Sequence, residues 1–177
     1  MKKNKVVLYI AMSLDGYIAR PDGAIDWLND IEMDGGDGGY STFYSTVGTV
    51  VMGRLTYDVV LGLSDDFPYA DKPCYVLSRT AQPPAPHVTF TDESIQTLIP
   101  RLKDTSNGDV WLVGGGQLVH AFLEAQLLDE LRITIIPKVL GDGIPLFPQG
   151  TVPCTFHLTQ TEKIGQMVSL SYSANEQ

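Results

Sequence analysis

The sequence contains few cysteines, few basic residues and no long apolar run. Cys74 and Cys154 are its only two cysteines among 177 residues, and neither stands in a spacing typical of metal ligands or redox pairs. This scarcity argues against a disulfide framework or a zinc site. It favours two reduced thiols in a cytoplasmic protein that binds no metal.

The shortage of positive charge limits the possible partners. Twelve Lys and Arg residues stand against 21 Asp and Glu residues, which gives a net charge of -9. Because the basic residues are scattered, we expect neither nucleic acid nor an anionic membrane as a partner. No segment approaches the roughly 18 apolar residues that span a bilayer. The apolar stretch near the N-terminus lacks a cleavage site of small residues, so it predicts a buried strand rather than a signal peptide.

Short apolar runs provide the first positive pattern. Five β-rich runs occupy 6–12, 49–52, 74–77, 110–113 and 131–136. The first four are almost continuously apolar, as in strands that are buried on both faces of a parallel sheet. Two further stretches, 154–162 and 166–173, flank a short turn and predict a C-terminal antiparallel hairpin at the sheet edge.

Helical periodicity separates these runs. A second helix is expected to open at Gly53, and Asp92 is a plausible cap for a third helix that Pro100 should bend or shorten. The residues that carry the periodicity are Tyr40, Phe43, Tyr44 and Val47 in the first helix, Ile95, Leu98, Ile99 and Leu102 in the third, and Leu118, Val119, Phe122, Leu123 and Leu127 in the fourth. Alternating strands and helices without an internal repeat predict one domain over 1–177. Its expected class is a three-layer α/β fold with a mixed, mostly parallel sheet.

Three consecutive glycines follow the fourth run, where a strand should give way to a helix. Without Cβ atoms, Gly114, Gly115 and Gly116 would allow a ligand to approach the backbone closely, and the N–H groups of the helix start favour an anion such as a pyrophosphate. A tight turn with close packing of the helix on the sheet explains the same glycines equally well.

Two other strand ends carry cations. Gly53, Arg54 and Thr56 follow the second run, and Ser78 and Arg79 follow the third. Ligands of open α/β sheets bind beyond the carboxyl ends of the strands, so the three ends together predict an anion-binding rim long enough for a dinucleotide. Two arginines indicate an additional phosphate and hence NADPH rather than NADH. The glycine run lacks the G-x-G-x-x-G spacing, which excludes the usual Rossmann arrangement.

Six stretches in order resemble the dihydrofolate reductase-like superfamily, and within it the C-terminal reductase domain of the bifunctional riboflavin-biosynthesis deaminase/reductase. They are IAMSLDGYIA (10–19), DW (26–27), VVMGRLTY (50–57), YVLSRT (75–80), VWLVGGGQLVHAFL (110–123) and LRITIIPKVLGDGIPLFP (131–148). The resemblance covers nearly the whole chain. It implies NADPH binding along the rim described above.

The resemblance also assigns roles to single residues. Ala11 and Ile18 would border the nicotinamide, Gly53, Arg54 and Thr56 would meet phosphates, Ser78 and Arg79 would lie near the 2′-phosphate, and Gly114, Gly115, Gly116, Gln117 and Leu118 would hold the pyrophosphate. Gly16 to Trp27 would form a mobile loop over the reacting centre, with Trp27 and Thr134 on the substrate side. A core aromatic explains Trp27 as well, and an ordinary strand threonine explains Thr134. Asp37 matches the family's catalytic carboxylate by its spacing from Gly53, although a helix cap explains it at least as well.

The resemblance implies an NADPH-dependent reductase of a small heterocyclic or carbonyl/imine substrate. The nearest named activity is the reduction of 5-amino-6-(5-phosphoribosylamino)uracil, and dihydrofolate reduction is the alternative. A nucleotide-binding or structural dimer without catalysis is an alternative from another class. The riboflavin branch and the exposed C-terminal strands both predict a homodimer.

Overall fold

A computed structural model of the chain describes residues 2–174, and this part contains ten strands and four α-helices. The strands are β1 (Val6–Ser13), β2 (Tyr17–Ala19), β3 (Val47–Gly53), β4 (Cys74–Leu77), β5 (Thr89–Thr91), β6 (Asp109–Gly114), β7 (Glu130–Ile136), β8 (Ile144–Pro145), β9 (Phe156–Ile164) and β10 (Met167–Ala174). The helices are α1 (Tyr40–Tyr44), α2 (Arg54–Leu61), α3 (Ile95–Thr105) and α4 (Gly116–Glu124), and a 3-10 turn covers Asp26–Leu28. No helix within residues 2–174 is long and apolar enough to cross a bilayer.

Eight strands form one sheet in the order β5-β4-β3-β6-β1-β7-β10-β9. All neighbours from β5 to β7 run parallel, whereas β10 is antiparallel to both β7 and β9. The mixed, mostly parallel sheet and its C-terminal hairpin are therefore confirmed. β9 lies at the outer edge, and most of its side chains are exposed.

Helices cover both faces of this sheet because its central strands bury apolar side chains in two directions. The cluster on one face includes Leu8, Leu112 and Phe122 and is closed by α3 and α4. The cluster on the other face includes Val50 and Trp111 and is closed by α1 and α2. The fold thus has the three layers that the sequence predicts.

The ends of two predicted helices are wrong. Val47 does not continue the first helix, which ends at Tyr44; its β-branched side chain is buried in β3 instead. Asp92 is not the cap of α3, because Ser94 occupies the N-cap position and the backbone is still extended at the end of β5. Pro100 lies inside α3, which continues to Thr105.

The two-stranded sheet of β2 and β8 was not predicted. Tyr17 pairs with Pro145 and Ala19 with Ile144. Strands of two or three residues are too short to show a period of their own, so only their long-range pairing reveals them. This small sheet places part of the predicted mobile loop against the chain that follows β7.

Candidate active site

Three adjacent parallel strands end at the same edge of the sheet. β4, β3 and β6 are neighbours, and the register pairs Gly53 with Leu77 and Met52 with Gly114. α2 and α4 both begin at this edge, where their first N–H groups lack intrahelical partners. The three strand ends of the predicted rim therefore lie side by side, and their backbone donors suit an anion.

The three glycines after β6 differ in what surrounds them. Gly114 has a φ of +140°, which L side chains rarely adopt. A Cβ on Gly116 would collide with the carbonyl oxygen of Pro145, so this glycine allows α4 to pack against the chain at β8. A Cβ on Gly115 would meet only the hydroxyl of Thr56, at 3.4 Å. Backbone conformation explains Gly114 and packing explains Gly116, whereas Gly115, which a cis peptide bond joins to Gly114, has open space where a Cβ would lie.

The arginines of the rim have different partners. The Nε of Arg54 lies 3.1 Å from a carboxylate oxygen of Asp58, one turn further along α2. Arg79 is exposed, and no ion pair among residues 2–174 includes it. The hydroxyl of Ser78 donates to the carbonyl oxygen of Thr80 at 2.7 Å. An anion would meet a free guanidinium at Arg79 and would share that of Arg54 with Asp58.

Gln117 and Leu118 contribute unequally to the start of α4. Gln117 is exposed at the rim. The N–H of Leu118 already donates to the carbonyl oxygen of Gly115 at 3.0 Å, and its side chain packs against the α3/α4 side of the core. The amide of Leu118 thus has a partner within the first turn of α4, and its role at the pyrophosphate stays a prediction.

The segment from Gly16 to Trp27 lies beside the end of β1. Trp27 is 2% exposed and packs with Ile136 and Met167, and Ala11 borders the same cluster. Ile18 packs instead against the cluster that α3 and α4 close. The side chains of Ala11 and Ile18 therefore contribute to different clusters.

Trp27 carries a buried donor without an acceptor. Its indole Nε1 has no hydrogen-bond partner, and it is the one such buried side-chain atom in the described part of the chain. Buried N–H groups are almost always paired because desolvation without a hydrogen bond costs free energy. An acceptor on a bound molecule or an ordered water would satisfy this one. The backbone of Trp27 is held by the ammonium of Lys138, which donates to its carbonyl oxygen at 2.8 Å.

Asp37 is exposed and acts on the start of α1. Its carboxylate accepts hydrogen bonds from the backbone N–H of Gly39 at 3.0 Å and of Ser41 at 2.8 Å, and also from the Ser41 hydroxyl. These bonds, led by that of the hydroxyl, lower the pKa of Asp37. The carboxylate therefore stays ionised at neutral pH. Gly39 occupies the N-cap position of α1, but Asp37, two residues earlier, satisfies the N–H of Ser41 in the first turn and so acts as a cap from outside the N-cap position. A catalytic role for Asp37 stays a prediction.

A polar cavity of about 320 Å³ lies between α1 and the sheet. It shares a sheet face with Ala11 and Thr134, because Thr134 pairs with Ala11 on one side and with Ser169 on the other. Its lining residues are Tyr9, Gly38, Gly39, Thr42, Phe43, Glu130, Arg132, Thr159, Gln160, Glu162, Ser169 and Ser171. Tyr9 and Arg132 of the cavity lie two residues before Ala11 and Thr134 on β1 and β7, and so on the same face of the sheet. Ala11 is the residue expected to border the nicotinamide, and Thr134 is the one expected to face the substrate.

Charges and an aromatic pair define this cavity. The Nε of Arg132 lies 2.5 Å from one oxygen of Glu130, whose other oxygen lies 3.2 Å from the ammonium of Lys5. The ring of Tyr9 stacks on that of Phe43 with centroids 4.0 Å apart. Burial raises the pKa of Tyr9, so its hydroxyl keeps its proton at neutral pH and is available as a donor.

The sequence prediction missed most of these lining residues. One available pattern is the strict alternation of β10, where Ser169, Ser171 and Ser173 alternate with larger side chains. Arg132 and Thr134 alternate in the same way along β7. A period of two with hydroxyl groups on one side marks a polar sheet face, but it does not show which helix covers that face.

Comparison with known proteins places the chain in a family. The model of the RibD C-terminal domain matches residues 4–170. The uncharacterized protein YwjB of Bacillus subtilis is 47% identical over 173 residues, which cover 96% of this chain and 98% of that protein.

Solved structures share the fold. A Shewanella sp. PV-4 protein to which a role in riboflavin biosynthesis is ascribed is 31% identical with a TM-score of 0.86, and the match covers 97% of this chain and 99% of that one. Dihydrofolate reductase from Enterococcus faecalis, in complex with NADP(H), is 18% identical with a TM-score of 0.66 and 97% coverage of both chains. The fold is that of dihydrofolate reductase, and the chain belongs to the family of RibD C-terminal domains.

Proposed function

We propose that the protein is an NADPH-dependent reductase that delivers hydride to a small heterocyclic or carbonyl/imine substrate. The nearest named reaction is the reduction of 5-amino-6-(5-phosphoribosylamino)uracil. The observation that carries this proposal is the open backbone at Gly115, where an added Cβ would meet only the hydroxyl of Thr56, at the end of β6 and beside the ends of β3 and β4. Membership in the RibD C-terminal domain family supports it.

The residues at the rim fit a dinucleotide. Gly115 leaves space that a Cβ would occupy, and Thr56 offers a hydroxyl on the other side of that space. Arg79, exposed and without an ion-pair partner among residues 2–174, is suited to the 2′-phosphate, and Arg54 follows the end of the neighbouring strand β3. The bound nicotinamide would supply the hydride. The chain itself binds and orients the two reactants.

The polar cavity is the proposed substrate site, since it adjoins Ala11 and Thr134 on one sheet face. The hydroxyl of Tyr9 and the guanidinium of Arg132 can donate to carbonyl oxygens of a ring. The unpaired indole N–H of Trp27 offers a further donor beside Ala11. We propose Asp37 as the carboxylate that would assist proton transfer, acting through water because its ionised oxygens hold no proton of their own.

We further propose that the protein acts as a homodimer. An apolar groove on the sheet face opposite the polar cavity is formed by β7 and β10, and it is lined by Met12, Leu131, Ile133, Ile135, Phe147, Phe156, Leu170 and Tyr172. Exposed apolar surface of this kind marks interaction sites. A second copy of the chain would cover it.

Titration followed by turnover tests the proposed function. NADPH and NADH are titrated into the protein, and NADPH oxidation is then followed with the uracil compound, dihydrofolate and simple aldehydes. We expect tight NADPH binding and oxidation with at least one compound. NADPH binding without oxidation of any compound would support the non-catalytic nucleotide-binding alternative. Absence of NADPH binding would contradict the whole proposal.

A further inference from the structure

The polar cavity has an excess of negative charge. Three of its lining residues carry a charged group: Glu130, Arg132 and Glu162. Two carboxylates therefore face one guanidinium across a space of about 320 Å³. Asp37, which precedes the helix α1 that covers the cavity, adds a further carboxylate that is ionised at neutral pH.

The single guanidinium of the cavity is already neutralised. Arg132 holds a carboxylate oxygen of Glu130 at 2.5 Å, and its charged carbon lies over the ring of Phe43, 5.6 Å from the centroid. The ammonium of Lys5, which is not part of the lining, is likewise engaged with Glu130 at 3.2 Å. These contacts fix the guanidinium in place, and because Glu130 pairs with both cations, it adds no unpaired negative charge to the cavity.

Glu162 has no such compensation. It projects from β9 onto the cavity face, where its partner in the register is Ser169. No ion pair within residues 2–174 includes Glu162. The negative potential also affects Tyr9: burial has the largest effect in raising its pKa, and Asp37 and Glu162 both add to that rise, while Arg132 opposes it.

We propose, resting on the reductase function above, that this cavity accepts uncharged amino- and oxo-substituted heterocycles and excludes the same compounds when they carry a phosphate, with Glu162 setting the preference. A carboxylate accepts from ring amino groups, and Arg132, Gln160 and the serine hydroxyls donate to ring carbonyl oxygens. A phosphate in the same space would face the unpaired carboxylate of Glu162 and a guanidinium that is already paired with Glu130. Like charges held close together in a binding site reduce affinity strongly.

A matched pair of compounds tests the inference. 5-Amino-6-(5-phosphoribosylamino)uracil and the same compound after removal of its phosphate are compared by kcat/KM with saturating NADPH. Their dissociation constants are measured by calorimetry with NADP⁺ present and again without it. We expect a preference of about tenfold or more for the dephosphorylated compound, which is a modest effect for like-charge contact in a binding site.

Variants at position 162 test which residue sets the preference. Glu162→Gln keeps the size of the side chain and removes its charge, so the preference should shrink, and Glu162→Lys should reverse it. Glu124→Gln makes the same change in net charge at an exposed position on α4 and should leave the preference unchanged. Melting curves of all three variants confirm that they are folded.

The outcomes separate this inference from the proposed function. Equal or better use of the phosphorylated compound overturns the inference but leaves an NADPH-dependent reductase. The inference is also overturned, and the reductase function kept, if neither compound binds while another compound of the panel supports NADPH oxidation. If the preference is unchanged in both position-162 variants, Glu162 does not set the preference for the dephosphorylated compound. Failure of NADPH to bind or to be oxidised with any compound contradicts the reductase function instead.

Discussion

At the scale of single residues, position 115 allows the sharpest test of the cofactor site. We expect Gly115→Ala to lower NADPH affinity by about tenfold or more, roughly 1.4 kcal/mol, because the added methyl occupies the proposed pyrophosphate space. No steric clash should accompany this loss, since the φ of -96° at Gly115 suits alanine and the methyl would meet only Thr56, at 3.4 Å. Calorimetric titration with NADPH and a melting curve measure the two quantities.

Gly116→Ala is the matched control one residue further on. Its methyl would collide with the carbonyl oxygen of Pro145, so this variant should melt at a clearly lower temperature. If Gly115→Ala instead lost stability and bound NADPH normally, the glycine run would be a packing feature alone.

The two rim arginines allow a second prediction. We expect NADPH to bind more tightly than NADH, and replacement of both Arg54 and Arg79 by alanine to remove that preference. Each charge-assisted contact to the 2′-phosphate should contribute about 1.5–3 kcal/mol. Titration of both cofactors into each single variant shows how much of the preference for NADPH each arginine contributes. Arg79 should contribute more, since Arg54 also serves Asp58. Equal affinities of the unmodified protein for the two cofactors would contradict the prediction.

At the scale of elements, Asp15 joins the end of β1 to the chain that follows β7. Its carboxylate accepts hydrogen bonds from the Ser13 hydroxyl at 2.6 Å and from the backbone N–H groups of Leu140 and Gly141 at 3.1 and 2.8 Å. These bonds, with that of Ser13 the strongest, lower its pKa from 3.8 to about 2. Because the folded state holds the ionised form more tightly, the stabilisation is complete above pH 3.8 and disappears as the pH falls towards 2.

The direction of this pKa shift determines how the effect of Asp15→Asn on stability depends on pH. We expect the variant to melt below the unmodified protein near neutral pH, and the difference to shrink as the pH falls from 3.8 to 2. Melting temperatures measured across this range give the result. Asp104→Asn, at an exposed position of α3, is the control and should show no such convergence. A difference that stays constant with pH would mean that the carboxylate of Asp15 is not the origin of the effect.

The elements differ in how well the sequence predicts them. The buried parallel strands are recognisable because β3 and β6 are apolar on both faces. Val47 also fits the helical spacing after Tyr40, and only its pairing with Asp109 in the sheet shows that it belongs to β3. β2 and β8 depend on a pairing across more than 120 residues, which local periodicity cannot show.

The residues of the candidate site likewise fall into those that the sequence predicts and those that depend on long-range packing. Gly115 and Arg79 stand directly after strands, so topology alone brings them to one edge. Glu162 and Ser169 face the cavity only because β9 folds back on β10 and α1 lies across the sheet. Resemblance identified Thr134 on this face. The charge balance of the cavity depends on long-range packing and could not be predicted from spacing.

At the scale of the whole molecule, the C-terminal strands have two different faces. Ser169 and Ser171 of β10 point into the polar cavity, whereas Leu170 and Tyr172 line the apolar groove on the opposite face. Alternation along one strand thus serves the proposed substrate site on one side and the proposed dimer contact on the other. A partner at the groove would support the floor of the cavity without entering it.

The homodimer is the last prediction, and it concerns this outer face. Leu158 and Val168 are 56% and 40% exposed, and the register places both on the face of the groove, in line with Tyr172 and Ile135. We expect the unmodified chain to sediment as a dimer at micromolar concentration, since an exposed apolar groove beside a long edge strand is otherwise prone to aggregation. Leu158→Glu combined with Val168→Glu should give a monomer, because two carboxylates would be buried without partners. Leu55→Glu, at a position on α2 that is 79% exposed, should remain dimeric. A monomeric unmodified chain would contradict the dimer, whereas a dimeric double variant would place the contact on another surface.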